Sequence, residues 1–187
     1  MKTFDMRFNI DTIKNLIGKC FIKYKCDEFK FTNSVTGTVG IYIDDLVYEF
    51  RNEQEMVDYF GATDEYAVFK MINSTDDNIQ SFFLNTEQIS TPVREKISKI
   101  IVINENQKLY KDGIQTYDVW LTRGIIFCLD EREIAFQKDM VPFSEEIYIN
   151  KGYNLIDTFE ENNNFCGDWD EAEGYRGECT RNIEIIK

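Results

Sequence analysis

The sequence of 187 residues contains no histidine. Histidine is the side chain that most often serves as a general acid or base near neutral pH, and it is the commonest metal ligand. Its absence excludes His-based catalytic triads, His-dependent acid–base mechanisms and the usual metal sites built from two or three histidines. Acid–base chemistry in this chain would have to rely on carboxylates.

The sequence also lacks the short glycine-containing motifs that cradle phosphates or expose a nucleophile. It contains neither GxxxxGK[ST] nor GxGxxG, so we do not expect nucleotide binding in either of those modes. It contains no GxSxG elbow and no CxxC pair. On this basis the sequence predicts no cofactor.

Cysteines are few, odd in number and widely spaced: Cys20, Cys26, Cys128, Cys166 and Cys179. Structural zinc sites pair their ligands two to four residues apart, and no such pair is present here. A cysteine nucleophile would lack its usual histidine base. We therefore predict no metal site, and we expect reduced thiols that are buried on strands.

Long apolar runs are absent as well. No segment approaches the roughly 18 apolar residues of a membrane-spanning helix. The opening residues MKTFDMRFNI have no apolar core of signal-peptide length. The length suits one domain, so we expect a single soluble, cytoplasmic domain over residues 1–187.

Basic residues are scarce relative to acidic ones, with 21 Lys and Arg against 34 Asp and Glu and a net charge of −13. Such a field repels the phosphates of nucleic acids and anionic membrane surfaces, so we expect neither as a partner. A basic protein is the partner that this charge favours. The alternative is that the excess only keeps the protein soluble.

The clearest structural signal lies at Arg123–Lys138, which reads RGIIFCLDEREIAFQK. Before the charged turn at 130–133, large apolar residues such as Phe127 alternate with Ile126 and Cys128, and after it Ile134 and Phe136 alternate with Ala135 and Gln137. This pattern predicts a β-hairpin deep in a sheet. Because its apolar faces leave little room for chemistry, we expect any functional site to lie outside it.

Similar alternation recurs along the chain and predicts a mainly β fold with a few short helices, arranged as antiparallel sheets in a sandwich or a partly open barrel. Apolar spacing and capping residues predict three short helices. These are 11–17 with Asp11 as its cap, 52–60 behind a capping box of Asn52 and Glu55, and 92–97 starting at Pro92. Two further predictions are a strand at 79–84 and a long loop at 160–178.

Two parts of the sequence resemble each other. Residues 17–50 and 97–136 share an apolar strand followed, later, by a glycine-led strand, an acidic turn and another strand. One interpretation is two similar β-rich halves. The other is that apolar alternation matches by chance, and the strand order in the structure is the test between them.

The segment 160–178 combines acidic charge with aromatic side chains. Carboxylates steer a basic partner, and aromatic residues dominate the energetics of many interfaces. We therefore predict a partner-binding surface made of Phe165, Asp168, Trp169, Asp170, Glu171, Glu173 and Tyr175. The alternative is a solvated loop in which Trp169 and Tyr175 only fasten the segment to the domain.

These features favour a non-enzymatic acidic module that captures a basic protein, as an immunity protein or an antitoxin does. One alternative is an enzyme that uses paired carboxylates on a small sugar or a related substrate. Another is a structural subunit of a larger assembly. A pocket lined by two close carboxylates favours the enzyme, a flat acidic face favours the binding module, and a large exposed apolar patch favours the structural subunit.

Overall fold

The computed structural model describes residues 1–30, 32–139, 141, 143–159 and 163–187, and the side chains at positions 59, 62, 64, 163, 164 and 168 lie outside the description. The described chain forms twelve strands: β1 (Lys2–Met6), β2 (Cys20–Cys26), β3 (Ser34–Thr36), β4 (Val39–Ile43), β5 (Leu46–Tyr59), β6 (Ala62–Ser74), β7 (Ile89–Lys96), β8 (Lys99–Lys111), β9 (Ile114–Cys128), β10 (Glu133–Lys138), β11 (Glu146–Gly152) and β12 (Tyr175–Ile186). It also forms the helices α1 (Ile10–Lys14) and α2 (Asn163–Asp170) and the 3₁₀ helices Asp76–Asn78 and Leu155–Thr158. None of the described helices has the length and apolar character needed to cross a membrane.

The strands form two sheets that do not close into a barrel, which confirms the predicted mainly β fold. The seven-stranded sheet has the order β12-β8-β9-β10-β11-β3, and β1 pairs with β9 as well. The five-stranded sheet has the order β6-β5-β4-β2-β7. The pairing of β1 with β9 is parallel, and the other described pairings are antiparallel.

Five strands of each sheet follow the same order. In the smaller sheet β2, β4, β5 and β6 lie side by side, and β7 returns to pair with β2. In the larger sheet β8, β9, β10 and β11 lie side by side, and β12 returns to pair with β8. Apart from β3, which lies within 17–50 but pairs with β11 of the larger sheet, the segments 17–50 and 97–136 therefore have the same strand order, as two similar halves require. Two similar halves stay one interpretation, beside a chance match of apolar patterns.

The main hydrophobic core lies between the two sheets. Its centre is Phe136 on β10, whose ring lies 5.0 Å from that of Phe50 and 6.1 Å from that of Phe127, measured between centroids. Phe21 on β2 packs edge-on against Phe127 at 5.1 Å. These four rings are fully buried. The predicted hairpin at Arg123–Lys138 is confirmed as the pair β9–β10, with Glu133 opposite Cys128.

The larger sheet is buried on its second face as well. Ile101, Ile103 and Ile126 pack there against Leu155 and Phe159, next to the 3₁₀ helix Leu155–Thr158. Burial of both faces explains why the sequence at 125–127 is apolar at every position rather than only at alternate ones.

The hairpin β5–β6 extends beyond its neighbour β4, which pairs with β5 only over residues 46–50. We call residues 51–70 the arm, because there β5 pairs with β6 alone. Phe60, Tyr66 and Val68 of the arm pack against Leu109, Val119 and Leu121 of β8 and β9. We call these six residues the arm cluster.

The predicted helix at 52–60 is wrong, since these residues belong to strand β5. Their apolar spacing fits either structure, and pairing with β6 decides in favour of the strand. Glu55 forms an ion pair with Lys70 across that ladder instead of closing a capping box. Gly61, with a φ of +95°, makes the hairpin turn rather than ending a helix.

The predicted helix at 92–97 is also wrong. Residues 89–96 form β7, which lies at the edge of its sheet, where proline is tolerated because no second neighbour needs its missing N–H. The predicted strand at 79–84 is not a strand, and Phe82, Phe83 and Leu84 are exposed there. The first helix is α1, and its cap is Asn9 rather than Asp11, because the Asn9 side chain accepts a hydrogen bond from the Asp11 N–H.

The long loop predicted at 160–178 is replaced in its described part by regular structure. Residues 160–162 lie outside the described residues. The remainder forms α2, a turn at 171–174 and the first part of β12, which pairs with β8 from Tyr175 onward. Contacts with the arm cluster and with β8 fix this segment, and neither kind of contact is visible in its polar sequence.

Candidate functional site

The three aromatic residues of the predicted partner-binding surface face the domain. Phe165 and Trp169 on α2 lie 5.3 Å and 5.6 Å from Phe60 of the arm cluster, measured between ring centroids. Tyr175 lies 5.7 Å from Trp169. All three are half-buried. Their rings therefore fasten α2 and the start of β12 to the arm cluster.

A glycine permits this close packing of α2 on β12. A Cβ atom at Gly177 would lie 3.2 Å from both the Cβ of Trp169 and the backbone oxygen of Phe165. These distances are shorter than ordinary contacts, so a Cβ atom at this position would require the helix to shift by a few tenths of an ångström. The helix is thus held from two sides, by the arm cluster and by β12.

The acidic residues of the predicted surface point the other way. Asp170, Glu171 and Glu173 are exposed at the end of α2 and in the turn before β12, whereas the side chain of Asp168 lies outside the described side chains. Asp112 joins them, since its backbone N–H donates a hydrogen bond of 2.8 Å to the backbone oxygen of Gly174. We call Asp112, Asp170, Glu171 and Glu173 the acidic tip.

The acidic tip has two properties that suit it to contact with another molecule. None of its four carboxylates forms an ion pair with a described residue, in contrast to Glu178, which pairs with Arg176 at 2.7 Å. Ile114, on the same turn as Asp112, is 70% exposed. Lys111, next to Asp112 in the chain, lies over the ring of Tyr175 at 5.1 Å.

A second charged region was not predicted. The described residues enclose a cavity of about 240 Å³ on the larger sheet, lined by Asn33, Arg123, Gln137, Lys138, Asp139, Tyr148, Asn150, Thr158, Phe159 and Arg181. We call it the basic cavity, because two of its lining residues, Arg123 and Lys138, are basic and buried, with exposures of 7% and 3%. These two residues are the ends of the hairpin that the sequence assigned to scaffold alone.

A β-bulge aims Arg123 into this cavity. On β8 and β9, Ile103 pairs with Gly124 and Asn104 pairs with Thr122, so Arg123 is the extra residue without an opposite partner. An extra residue in one strand re-aims its side chain and interrupts the ladder. Without this bulge, the alternation of β9 would direct position 123 like Ile125, toward the main core.

Glu105 is the buried carboxylate beside the cavity. Its Oε1 atom lies 3.1 Å from Nη2 of Arg181 and 3.4 Å from Nε of Arg123, and the residue is 5% exposed. Arg123 also donates from Nη1 to the backbone oxygen of Asp139 at 2.8 Å. Arg181 donates to the backbone oxygen of Phe159 at 3.3 Å. Both guanidinium groups are therefore held in place by the protein.

Lys138 is in a different situation. Its Nζ atom donates long hydrogen bonds, of 3.5 Å and 3.4 Å, to the backbone oxygens of Asp139 and Val141 and lies 5.2 Å from the ring centre of Tyr66, and it forms no ion pair with a described residue. Burial, followed by the positive charge of Arg123, lowers the pKa of Lys138 from 10.5 to about 7. This ammonium group therefore loses its proton near neutral pH.

The cysteines lie on strands, as expected, except Cys166, which lies on α2. All five are free. Burial raises the pKa of Cys26 and Cys128 to about 11 and that of Cys179 to about 12, so these thiols are poor nucleophiles. Among the described residues, no group of three or more Cys, Asp or Glu side chains is placed to hold a metal ion.

No family model, no curated protein and no solved structure matches this chain. The assignment of a function therefore rests on the chemistry of the acidic tip and the basic cavity.

Proposed function

We propose that the protein is a non-enzymatic binding module whose acidic tip captures a basic protein partner. The observation that carries this proposal is that four exposed carboxylates, none paired with a described residue, lie together on two turns joined by a backbone hydrogen bond. They are held on a fixed part of the fold, because the aromatic rings of α2 pack on the arm cluster.

Exposed charges act chiefly on the rate of association. At a rim they steer a partner of opposite charge and make its binding sensitive to salt, while each adds little to the final affinity. The net charge of −13 strengthens this steering. Ile114, 70% exposed beside Asp112, supplies an apolar contact that a docked partner would cover.

The geometry favours this function over the carboxylate-dependent enzyme. The carboxylates of the acidic tip stand exposed on turns, whereas a glycosidase needs two of them facing a sugar across a cleft. Of the described residues that line the basic cavity, Asp139 is the one carboxylate, and Glu105 beside the cavity contacts Arg123 and Arg181 rather than a second carboxylate. No specific observation therefore supports the enzyme.

The test is affinity capture from extracts of the native cells at low and high salt, with identification by mass spectrometry. We compare the wild-type protein with Asp112→Asn/Asp170→Asn/Glu171→Gln/Glu173→Gln. The matched control is Asp45→Asn/Asp77→Asn/Glu87→Gln/Glu131→Gln, which removes four exposed acidic charges elsewhere. We expect a basic protein that high salt releases, retained by the wild type and the control and lost by the tip variant.

Two outcomes would count against this proposal. One is that the wild-type protein captures no salt-sensitive basic protein. The other is that the tip variant and the control variant lose the partner to the same degree, which would mean that net charge alone, rather than the acidic tip, governs capture.

A second function is favoured by one observation, the exposed apolar loop before β7. Phe82, Phe83 and Leu84 are 62%, 52% and 94% exposed. Exposed apolar side chains grouped in this way are typical of interaction surfaces. We propose, as the alternative, that this loop contacts another subunit of an assembly. Sedimentation velocity tests it, since an assembly should dissociate in Phe83→Ser/Leu84→Ser, and a monomeric wild-type protein would contradict self-assembly.

A further inference from the structure

The basic cavity holds basic side chains where water screens their charge only weakly. Arg123 and Lys138 are both more than nine-tenths buried and line the same cavity. A buried charge is costly unless an opposite charge or several hydrogen bonds compensate for it. Arg123 has Glu105 as its neighbour, but the described part of the chain offers Lys138 no carboxylate in ion-pair contact.

The surroundings of the cavity supply polar groups as well as charge. Asn33 donates to the side chain of Asn150 at 2.6 Å, and Gln137 donates to Thr158 at 2.5 Å. Each of these four side chains lines the cavity. A few convergent polar groups around buried charge are typical of a small-molecule site.

We propose that the basic cavity binds a small molecule through an oxyanion group, a phosphate or a carboxylate, held between Lys138 and Arg123. A guanidinium offers a planar fork of donors to such a group, and an ammonium offers a compact positive charge. The cavity of about 240 Å³ is smaller than the roughly 300–1,000 Å³ of sites for drug-sized ligands, which limits the ligand to a few heavy atoms around the anion.

Proton uptake distinguishes this site from a weak surface contact. An anion beside Nζ stabilises the ammonium form, so binding raises the pKa of Lys138 from about 7. At pH 8 the bound state then holds a proton that the free state lacks. The charged and titratable groups that act on Nζ are Arg123, Asp139 and Glu105, the ring of Tyr66 lies under it, and Arg181 and Tyr148 line the same cavity. Their contributions are common to the wild type and to variants at position 138.

The experiment is isothermal titration calorimetry at pH 8 and constant ionic strength, with inorganic phosphate and succinate as separate probes. Sodium chloride and the neutral succinamide are the negative probes. We expect saturable binding of phosphate, succinate or both, and no binding of succinamide. Titrations in buffers of different ionisation enthalpy should show proton uptake. Phosphate alone would define a phosphate ester as the ligand class, and succinate alone a carboxylate.

Lys138→Met should weaken binding by about tenfold or more, as expected for the loss of one charge-assisted hydrogen bond, and should abolish the proton uptake. The matched control is Lys151→Met, an exposed lysine on the adjacent strand β11, which should bind like the wild type. Arg123→Lys, which keeps the charge but removes the fork, is the second variant and should also bind more weakly.

Three results would overturn the proposal. They are the absence of saturable binding beyond that of sodium chloride, equal affinity of the wild type and Lys138→Met, and binding without proton uptake at pH 8. If Lys138→Met proves unfolded, the pKa of Lys138 in the wild type, followed by NMR with and without phosphate, gives the same answer. An unchanged pKa would then overturn the proposal.

Discussion

The acidic tip and the basic cavity carry charges of opposite sign in opposite surroundings. The carboxylates of the tip are exposed, so water and salt screen them over about 8 Å at physiological ionic strength. Arg123 and Lys138 are buried and line the same cavity, where screening is weak. One charge therefore changes the free energy of unfolding little at the tip. In the cavity it affects both the free energy of unfolding and the binding of a ligand.

This difference also separates what each region can do. Exposed carboxylates shape the long-range field and hence the encounter with a partner. Buried cations act over short distances and select a ligand by charge and size. Four changes of sequence test the comparison, from the largest expected effect on stability to the smallest.

The largest effect is expected for Glu105→Gln. This change leaves the buried guanidinium of Arg123 and that of Arg181 without the carboxylate that both approach. Removing one member of a buried ion pair is strongly destabilising, and we expect a loss of about 3 kcal/mol in the free energy of unfolding. Urea denaturation measures it. Glu178→Gln, which breaks the more exposed pair with Arg176, should cost less than about 1 kcal/mol. Equal losses would mean that burial does not distinguish the two pairs.

The next effect concerns the support of the acidic tip. Phe60→Ala removes the ring on which Phe165 and Trp169 pack, and Phe60 is 8% exposed. Truncation of a buried Phe to Ala lowers the free energy of unfolding by roughly 3–5 kcal/mol. We expect the lower value, about 3 kcal/mol, because Phe60 lies at the end of the arm. Hydrogen exchange in α2 should be faster in the variant than in the wild type, and exchange in β10 should change less. Unchanged exchange in α2 would contradict the anchoring role of the three aromatic residues.

Local patterns in the sequence predicted the fold class correctly, whereas some of its elements depend on distant partners. The alternation around Phe127 and Phe136 depends on local burial, and it predicted the hairpin β9–β10 correctly. The spacing at 52–60 satisfies a helix and a strand alike, and only the distant partner β6 decides between them.

The cavity depended on information that local patterns do not hold. Arg123 enters it because β9 has one residue more than β8 between two paired positions. That count depends on which residues face each other. The chemical signal was present, however, since a lysine at position 138 ends a strand whose centre, Ile134–Phe136, is apolar. A charged residue at a buried position of a strand is thus a sign of a site that sequence reasoning can use.

A third prediction uses the pH dependence of stability. The pKa of Lys138 is lowered to about 7 in the folded protein and is 10.5 when unperturbed. Between these values the unfolded chain binds the extra proton, so the free energy of unfolding rises with pH. From pH 7 to pH 9 this contribution amounts to about 2 kcal/mol. Urea denaturation should show that the free energy of unfolding of the wild type rises, relative to that of Lys138→Met, as the pH increases over this range. A constant difference would contradict the neutral, buried lysine.

The smallest effect on stability is expected at the acidic tip itself. Replacing Asp170, Glu171 or Glu173 by the matching amide removes an exposed charge that has no ion pair with a described residue, so each change should alter the free energy of unfolding by less than about 0.5 kcal/mol. Thermal and urea denaturation at low salt, where surface charges act most strongly, measure the effect. A larger loss would show that the tip stabilises the fold, and the contrast with the basic cavity would then fail. A slight gain would fit the relief of repulsion in a protein with a net charge of −13.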